Sequence, residues 1–478
     1  VKKMNKKTKK AGLIKKSGVS AGMKVSQSVK NIHFVGIGGS GMSGIAEVLA
    51  GMGYAISGSD LASSPVTRHL EDLGCVVRIG HRASNVAGTQ VVVISSAVTP
   101  DNVEVLTAVK NKIPVIQRAE MLAELMRLKY SIAIAGSHGK TTTTSMVSQI
   151  LSSAGYDPTM VIGGRFKNIA TGGYKGSGDL LVAEADESDA SFLKLLPTVV
   201  AVTNIDDDHM NFYGSMDNLK QTFVDFINSI PFYGMAFLCI DDANIAEILP
   251  QLRKRYFTYG FSPSADYRIK ITGMEYFNTS YSVTYRGKNM GSLIVPAPGM
   301  HNVLNSSAAA CVCLNLGISM PKIRKGLKAY MGVSRRFDVK GIKKGIMVID
   351  DYAHHPTAIA MTVKTAREIW PERRIVVLFQ PHRYTRTKEQ AWQLGRSFSR
   401  ADAVCLLPIY SAGEKKIPGI TSQLIWENIP RTIRKRMFAS LNEASEIIPS
   451  MLGKNDIFIT IGAGDVYKAG EAVLEKLN

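Results

Sequence analysis

Short apolar runs alternate along this chain with stretches of helical periodicity, and most runs end in glycine or charge. Residues 31–35 predict a strand, the glycine-rich turn 36–41 follows, and residues 42–52 carry a helical pattern. Further strands are expected over 54–57, 90–95 and 113–115. The cycle restarts at 131–134, an apolar strand followed by glycine and threonine and then a helical pattern over 145–151. Strands over 180–183 and 199–202 come next, then alternating segments over 265–295 and a helix over 302–316. A third series begins near Gly332, with strands over 346–349, 375–378, 403–406 and 457–460. Strands interleaved with helices imply parallel sheets covered on both faces, an α/β fold. At about 150 residues per domain, 478 residues suit three domains. The pattern divides them at 31–128, 129–332 and 333–478, behind a leader of residues 1–30.

Composition narrows the class. An apolar content of 45% supports large cores. No apolar run approaches the roughly 20 residues of a membrane span, and no apolar segment with a cleavage site follows the basic N-terminus, so no secretory signal is expected. The five cysteines (Cys75, Cys239, Cys311, Cys313, Cys405) are scattered, as in a reduced, cytoplasmic compartment. The net charge is +19, but residues 1–30 hold ten lysines and no acid, leaving +9 for the rest. That leader is expected to be disordered and to touch anionic surfaces weakly. The remaining excess suits anionic substrates as well as it suits nucleic acid.

The chemistry concentrates at strand ends. Gly136-Ser137-His138-Gly139-Lys140-Thr141-Thr142 lies between a strand and a helix, where backbone N–H groups cradle phosphates. In such a turn Lys140 reaches the outer phosphates and the Thr141 hydroxyl ligates Mg²⁺. The spacing is not the full Walker pattern, because Ile134 stands where a glycine is usual. The turn Gly36-x-Gly38-Gly39-Ser40-Gly41, with Asp60 nineteen residues beyond, lets backbone approach a pyrophosphate, either that of NAD or that of a sugar nucleotide. Glu184, in an acidic segment that includes Ser188, follows the strand 180–183 and can hold Mg²⁺ against phosphates. His209 follows three aspartates, a setting for metal binding or acid–base work. Asp351, Tyr352 and His354 follow one strand of the third series; His382, Arg383 and Arg386 follow another. Arg335 and Arg336 sit at the hinge, from which an arginine can swing onto a phosphate.

Together these segments resemble the Mur ligase family of peptidoglycan synthesis. The likeness runs from about residue 31 to the end. It includes 33–39, 118–127, the phosphate loop, 184–192, 208–210, His301-Asn302, 335–338, 350–357 and 380–387. The last segment separates the L-alanine-adding branch from relatives that attach later residues or recycled peptides. The resemblance implies Rossmann-like first and third domains around a P-loop ATPase-like middle domain. It further implies ATP-dependent ligation of L-alanine to the lactyl carboxylate of UDP-N-acetylmuramate, through an acyl phosphate, with ADP and phosphate released. No nucleic-acid partner is implied, and monomer and homodimer both remain open.

By position, Lys140 would grip the β/γ-phosphates, Thr141 and Glu184 would hold one Mg²⁺, and His209 would help to hold a second. Asn302 would contact adenine, and Arg335 and Asp351 would meet the nucleotide from across the hinge. Gly36, Gly38, Gly39, Ser40, Asp60, Ser95, Ser96, Glu184 and Ser188 fall to the sugar-nucleotide side. Tyr352, His354, His382, Arg383 and Arg386 fall to the alanine and sugar-acid end. Three departures stand out. Ser137 replaces a more usual Thr, and Asn211 a more usual Asp. Phe223 stands where several relatives carry a carbamylated lysine, so no modified lysine is expected. A NAD-dependent oxidoreductase would explain the first glycine turn but leave 136–144 idle. A nucleic-acid-dependent NTPase would explain only the charge.

Overall fold

The computed structural model describes residues 28–164 and 172–477. The expected disorder of the leader concerns residues of which all but 28–30 lie outside that range. Three sheets follow one another along the chain. The first has five parallel strands in the order Val76–Ile79, Ala55–Asp60, Asn31–Val35, Val91–Ile94, Val115–Gln117. Strand order reverses on either side of Asn31–Val35, so a crevice opens at its C-terminal end, where the glycine turn lies. The third sheet has six strands: Asp338–Lys343, Ile346–Asp351, Ile457–Ile461, Ile375–Phe379, Ala403–Leu406 and Arg434–Met437. All its pairings are parallel except the first.

The central sheet has ten strands, with Tyr130–Ala135 between Leu180–Glu184 and Val199–Val202. These are almost wholly buried, which is why they read as unbroken apolar runs rather than as alternation. Helices Lys140–Ser153 and Met300–Asn315 pack together on this sheet, with Ala308, Ala309 and Ala310 fully buried. Phe192 stacks on Phe226 and meets Phe223 edge-on, so Phe223 is a core residue. The segment 265–295 is the expected alternating region, a meander of Tyr267–Glu275, Asn278–Tyr285 and Lys288–Val295. Strands Val76–Ile79, Thr159–Val161, Gly173–Tyr174, Met235–Cys239, Tyr256–Gly260, Asp338–Lys343 and Arg434–Met437 are additional to the sequence expectation.

One apolar core runs through the first and central units, whereas the third has two clusters of its own. Helix Ser40–Gly51 of the first unit packs against the edge strands of the central sheet. Gly44 makes that possible: a side chain there would lie 2.8 Å from the Gly172 carbonyl. Glu47 Oε2 accepts from the Gly173 N–H at 3.0 Å. Among the described residues no helix is long and apolar enough to cross a membrane.

A buried polar knot holds the far side of the first sheet. Glu104 is fully buried and accepts from Ser59 Oγ at 2.6 Å and from the Asn85 amide. His81 Nδ1 lies 3.3 Å and His33 Nε2 3.6 Å from the same carboxylate. Burial alone would raise the Glu104 carboxyl; His33 and the bonds from Ser59 and Asn85 outweigh it and bring it down to about 2. A depressed carboxylate stabilises fully above its ordinary value of 4.5 and loses that contribution as pH falls towards 2. The urea-unfolding margin of the wild type over Glu104→Gln should therefore shrink between pH 4.5 and 2. A margin that stays constant over this window would contradict the assignment.

Candidate active site

The phosphate loop forms because two of its glycines adopt left-handed backbone, Gly136 at φ 124° and Gly139 at φ 84°. A side chain at 139 would strike the Asn305 amide, and one at 136 the Thr203 hydroxyl. The loop is anchored from below: the His138 N–H donates to Asn204 Oδ1 at 2.8 Å, and the Asp206 N–H donates to Ser137 Oγ at 2.9 Å. Helix Lys140–Ser153 then starts with its free N–H groups at the loop, which favours an anion there. Lys140 Nζ is folded over the turn. It donates to Gly136 O at 2.6 Å and to both oxygens of buried Glu187 at 2.7 and 2.8 Å. Burial pulls the Lys140 ammonium down, but Glu187, Asp186 and Glu184 together outweigh it and raise the lysine above its ordinary value.

Beside the lysine, Thr141 Oγ donates to Glu184 Oε2 at 3.2 Å, and Gly163 N–H donates to Glu184 Oε1 at 2.9 Å. His209 Nε2 is 4.0 Å from Glu187 Oε1. Asp186 is bridged at 2.9 Å by Arg118 from the first unit. Burial would raise Asp186, but Lys140 and Arg118 bring it to about 2. Three acids, a hydroxyl and one ammonium thus surround a space suited to a divalent cation and phosphates.

The third unit completes the walls. Arg386 Nη2 donates to Asp208 Oδ1 at 3.2 Å, while its Nη1 is buried without a partner. His354 Nδ1 lies 3.0 Å from the Tyr352 carbonyl, so Nδ1 carries the proton and Nε2 is left as an acceptor. Burial, reinforced by Arg386, lowers His354 well below the usual imidazole range and takes His382 to about 4. Both rings are therefore neutral near pH 7. The result is one cavity of about 630 Å³. Gly41, Ser96 and Arg118 of the first unit line it together with the phosphate loop, Glu184, Asp186, Glu187 and Ser188 of the central unit and Tyr352, His354, His382, Arg383 and Arg386 of the third.

Family comparisons agree along nearly the whole length. "Mur ligase family, catalytic domain" matches residues 31–130, "Mur ligase middle domain" residues 134–313, and "Mur ligase, glutamate ligase domain" residues 335–464. The chain belongs to the Mur ligase family. It is 52% identical to the UDP-N-acetylmuramate–L-alanine ligase of Geotalea daltonii, over 94% of this chain and 98% of that protein. It is 51% identical to the enzyme of that name from Endomicrobium trichonymphae, over 93% and 98%. The crystal structure of UDP-N-acetylmuramate–alanine ligase from Thermotoga maritima superposes with a TM-score of 0.81 at 28% identity, covering 94% of this chain and 99% of that one. A murein peptide ligase from Psychrobacter arcticus shares the fold, with a TM-score of 0.71 at 22% identity, covering 94% and 98%.

Within this Mur ligase the residues singled out in the sequence divide unevenly. Ser137–Thr142, Glu184, Ser188, His209, Asn302, Asp351, Tyr352, His354, His382, Arg383, Arg386 and Ser96 all line the cavity. Gly36, Gly38, Gly39, Asp60, Ser95 and Gly136 do not, although Gly41 of the first glycine turn does. Asp60 Oδ2 accepts from the Gly38 N–H at 2.8 Å and so braces the turn. Arg335 is also absent from the lining. It is held inside the third unit by Asp350 at 3.0 Å and by the Gly462 and Gly464 carbonyls at 2.6 and 3.0 Å, between the rings of Tyr352 and Tyr467. Its neighbour Arg336 lines the cavity instead. Glu187, Asn305, Arg118 and His355 were not singled out. Glu187 is one of several acids in the run after strand Leu180–Glu184, and nothing in the sequence marks which of them meets the lysine.

Proposed function

We propose that this protein joins L-alanine to the lactyl carboxylate of UDP-N-acetylmuramate at the expense of ATP, in the cytoplasm, as a step in peptidoglycan precursor synthesis. One observation carries the reading: a single cavity is lined by a phosphate loop, by first-unit residues, and by neutral imidazoles and an arginine with an unpartnered nitrogen from the third unit. In this reading residues 31–128 bind the UDP end, 129–332 bind ATP, and 333–478 bring in the amino acid. The high identity to ligases of this name over almost the full length supports the choice of substrates.

The residues divide the work as follows. A free carboxylate is a poor electrophile, so it must first be phosphorylated. Lys140 exchanges Glu187 for the outer phosphates and, with Arg336, neutralises charge as the γ-phosphoryl moves to the lactyl oxygen. Thr141 and Glu184 would hold one Mg²⁺ and His209 a second, supplying further charge neutralisation; the 3.2 Å contact between Thr141 and Glu184 fits a shared ion. Asn302, whose amide donates to Pro298 O at 2.7 Å, is fixed where it can meet the base of the nucleotide. Arg386 Nη1 offers a partner for the alanine carboxylate, and His354 Nε2 can accept from its amino group. The amine then attacks the acyl carbon and phosphate leaves, while the third unit keeps water from the acyl phosphate.

Phosphate release tests this directly. It should require ATP, Mg²⁺, UDP-N-acetylmuramate and L-alanine together, with a product mass equal to the alanyl conjugate. Release that ignores L-alanine but responds to a peptide would move the assignment to a peptide-adding ligase. Release independent of the sugar nucleotide would overturn the reading of the first unit.

A further inference from the structure

One cluster with no part in the steps above ties the phosphate loop to the third unit. His138, Asp206 and His355 each bring one ligand atom to within 4.8 Å of the others. His138 belongs to the glycine turn before helix Lys140–Ser153, and Asp206 to the loop after strand Val199–Val202. His355 precedes helix Pro356–Ile369 of the third unit. His138 Nε2 lies 2.7 Å from Asp206 Oδ2, and His355 Nδ1 lies 3.8 Å from the same oxygen. His355 is only 3% exposed, and its Nδ1 is buried without a hydrogen-bond partner. Leaving such a nitrogen unpaired is unfavourable unless something binds it. A gap of 3.8 Å is too long for a hydrogen bond but close to the spacing, about 3.4 Å, of two ligands around one tetrahedral ion.

We propose that His138, Asp206 and His355 form a binding site for a transition-metal dication of the zinc class, with a fourth position open to water. Two imidazoles and one carboxylate are a donor set that favours Zn²⁺ over Mg²⁺, which prefers oxygen. The ion takes the place of the proton between His138 and Asp206, and their 2.7 Å contact opens by less than the length of a bond. The surroundings can orient His355 for this. Gln390 Nε2 lies 3.2 Å from His355 Nε2, while Gln390 Oε1 is buried and unpartnered. Turning that amide over sets Oε1 against a proton on His355 Nε2 and frees Nδ1 for the metal. Asp207 Oδ1, 3.6 Å from His355 Nε2, supports the same tautomer. Because two ligands come from the central unit and one from the third, the bound ion fastens the third unit to the phosphate loop.

The test is equilibrium dialysis of the full chain against Zn²⁺ in a large excess of Mg²⁺. The wild type and Glu184→Gln should both retain stoichiometric Zn²⁺, while His355→Ala and Asp206→Asn bind it at least about tenfold more weakly. Zn²⁺ should also raise the unfolding temperature of the wild type and not that of His355→Ala, with His355→Gln as the substitute where the alanine variant fails to fold. Absence of retained Zn²⁺ in the wild type would overturn the proposal. So would retention that survives loss of His355 but not of Glu184, since the ion would then sit beside Thr141.

Discussion

Lys140→Ala should lose at least about a thousandfold in turnover while still binding UDP-N-acetylmuramate. The ammonium is the cation that sits over the phosphate turn, and among the described residues no other lysine lines the cavity. The sugar nucleotide is assigned to the first unit, at Ser96 and Arg118, so its binding should survive. The substitution has a second consequence. Glu187, whose side chain is 2% exposed, is left buried without its counter-charge. Removing one partner of a buried pair costs about 3 kcal/mol or more. Burial already raises the Glu187 carboxyl, so protonation offsets part of that cost. Adding Glu187→Gln to Lys140→Ala should therefore recover stability in urea unfolding without recovering turnover. Recovery of turnover in the double variant, or loss of sugar-nucleotide binding in a folded single variant, would contradict the division of labour.

Arg335 and Arg336 are adjacent in sequence and should behave as opposites. Arg335→Ala removes the partner of Asp350, which is 1% exposed, together with the donors to two carbonyls of the 462–464 loop. It should destabilise the third unit by about 3 kcal/mol. Arg336 lines the cavity, where its charge acts on Glu184 and on Asp351. Arg336→Ala should leave the unfolding midpoint nearly unchanged and lower kcat by about a hundredfold or more. Denaturation and steady-state kinetics on the two variants separate these effects. Equal stability loss, or a purely catalytic defect at Arg335, would reverse the roles.

Why one arginine of the pair faces inward is a matter of backbone that no residue pattern carries. Arg335 has φ 62°, a left-handed turn that aims its side chain at the 462–464 loop, more than a hundred residues away in sequence. Long-range partners of this kind were illegible. So was the bracing role of Asp60, whose carboxylate accepts from the turn's own Gly38 N–H. The buried parallel strands were legible, because burial on both faces writes an unbroken apolar run. Arg434–Met437 was not, since this edge strand is exposed and charged, as edges that avoid pairing with other chains are. The phosphate loop was legible because the chemistry is local, a strand, two left-handed glycines and Lys-Thr. Its counter-ion Glu187 was not, since several acids share that loop and only the fold chooses among them.

The central claim is that this Mur ligase activates the sugar acid by phosphorylating its carboxylate. Turnover with UDP-N-acetylmuramate carrying ¹⁸O in the lactyl carboxylate tests that claim most directly. Attack of that carboxylate on ATP, followed by displacement by the alanine amine, must leave a labelled oxygen in the released inorganic phosphate. Mass spectrometry of the phosphate should find it there, in step with amide formation. Unlabelled phosphate alongside alanyl product would mean that the carboxylate never bonds to phosphorus, and the account would be wrong.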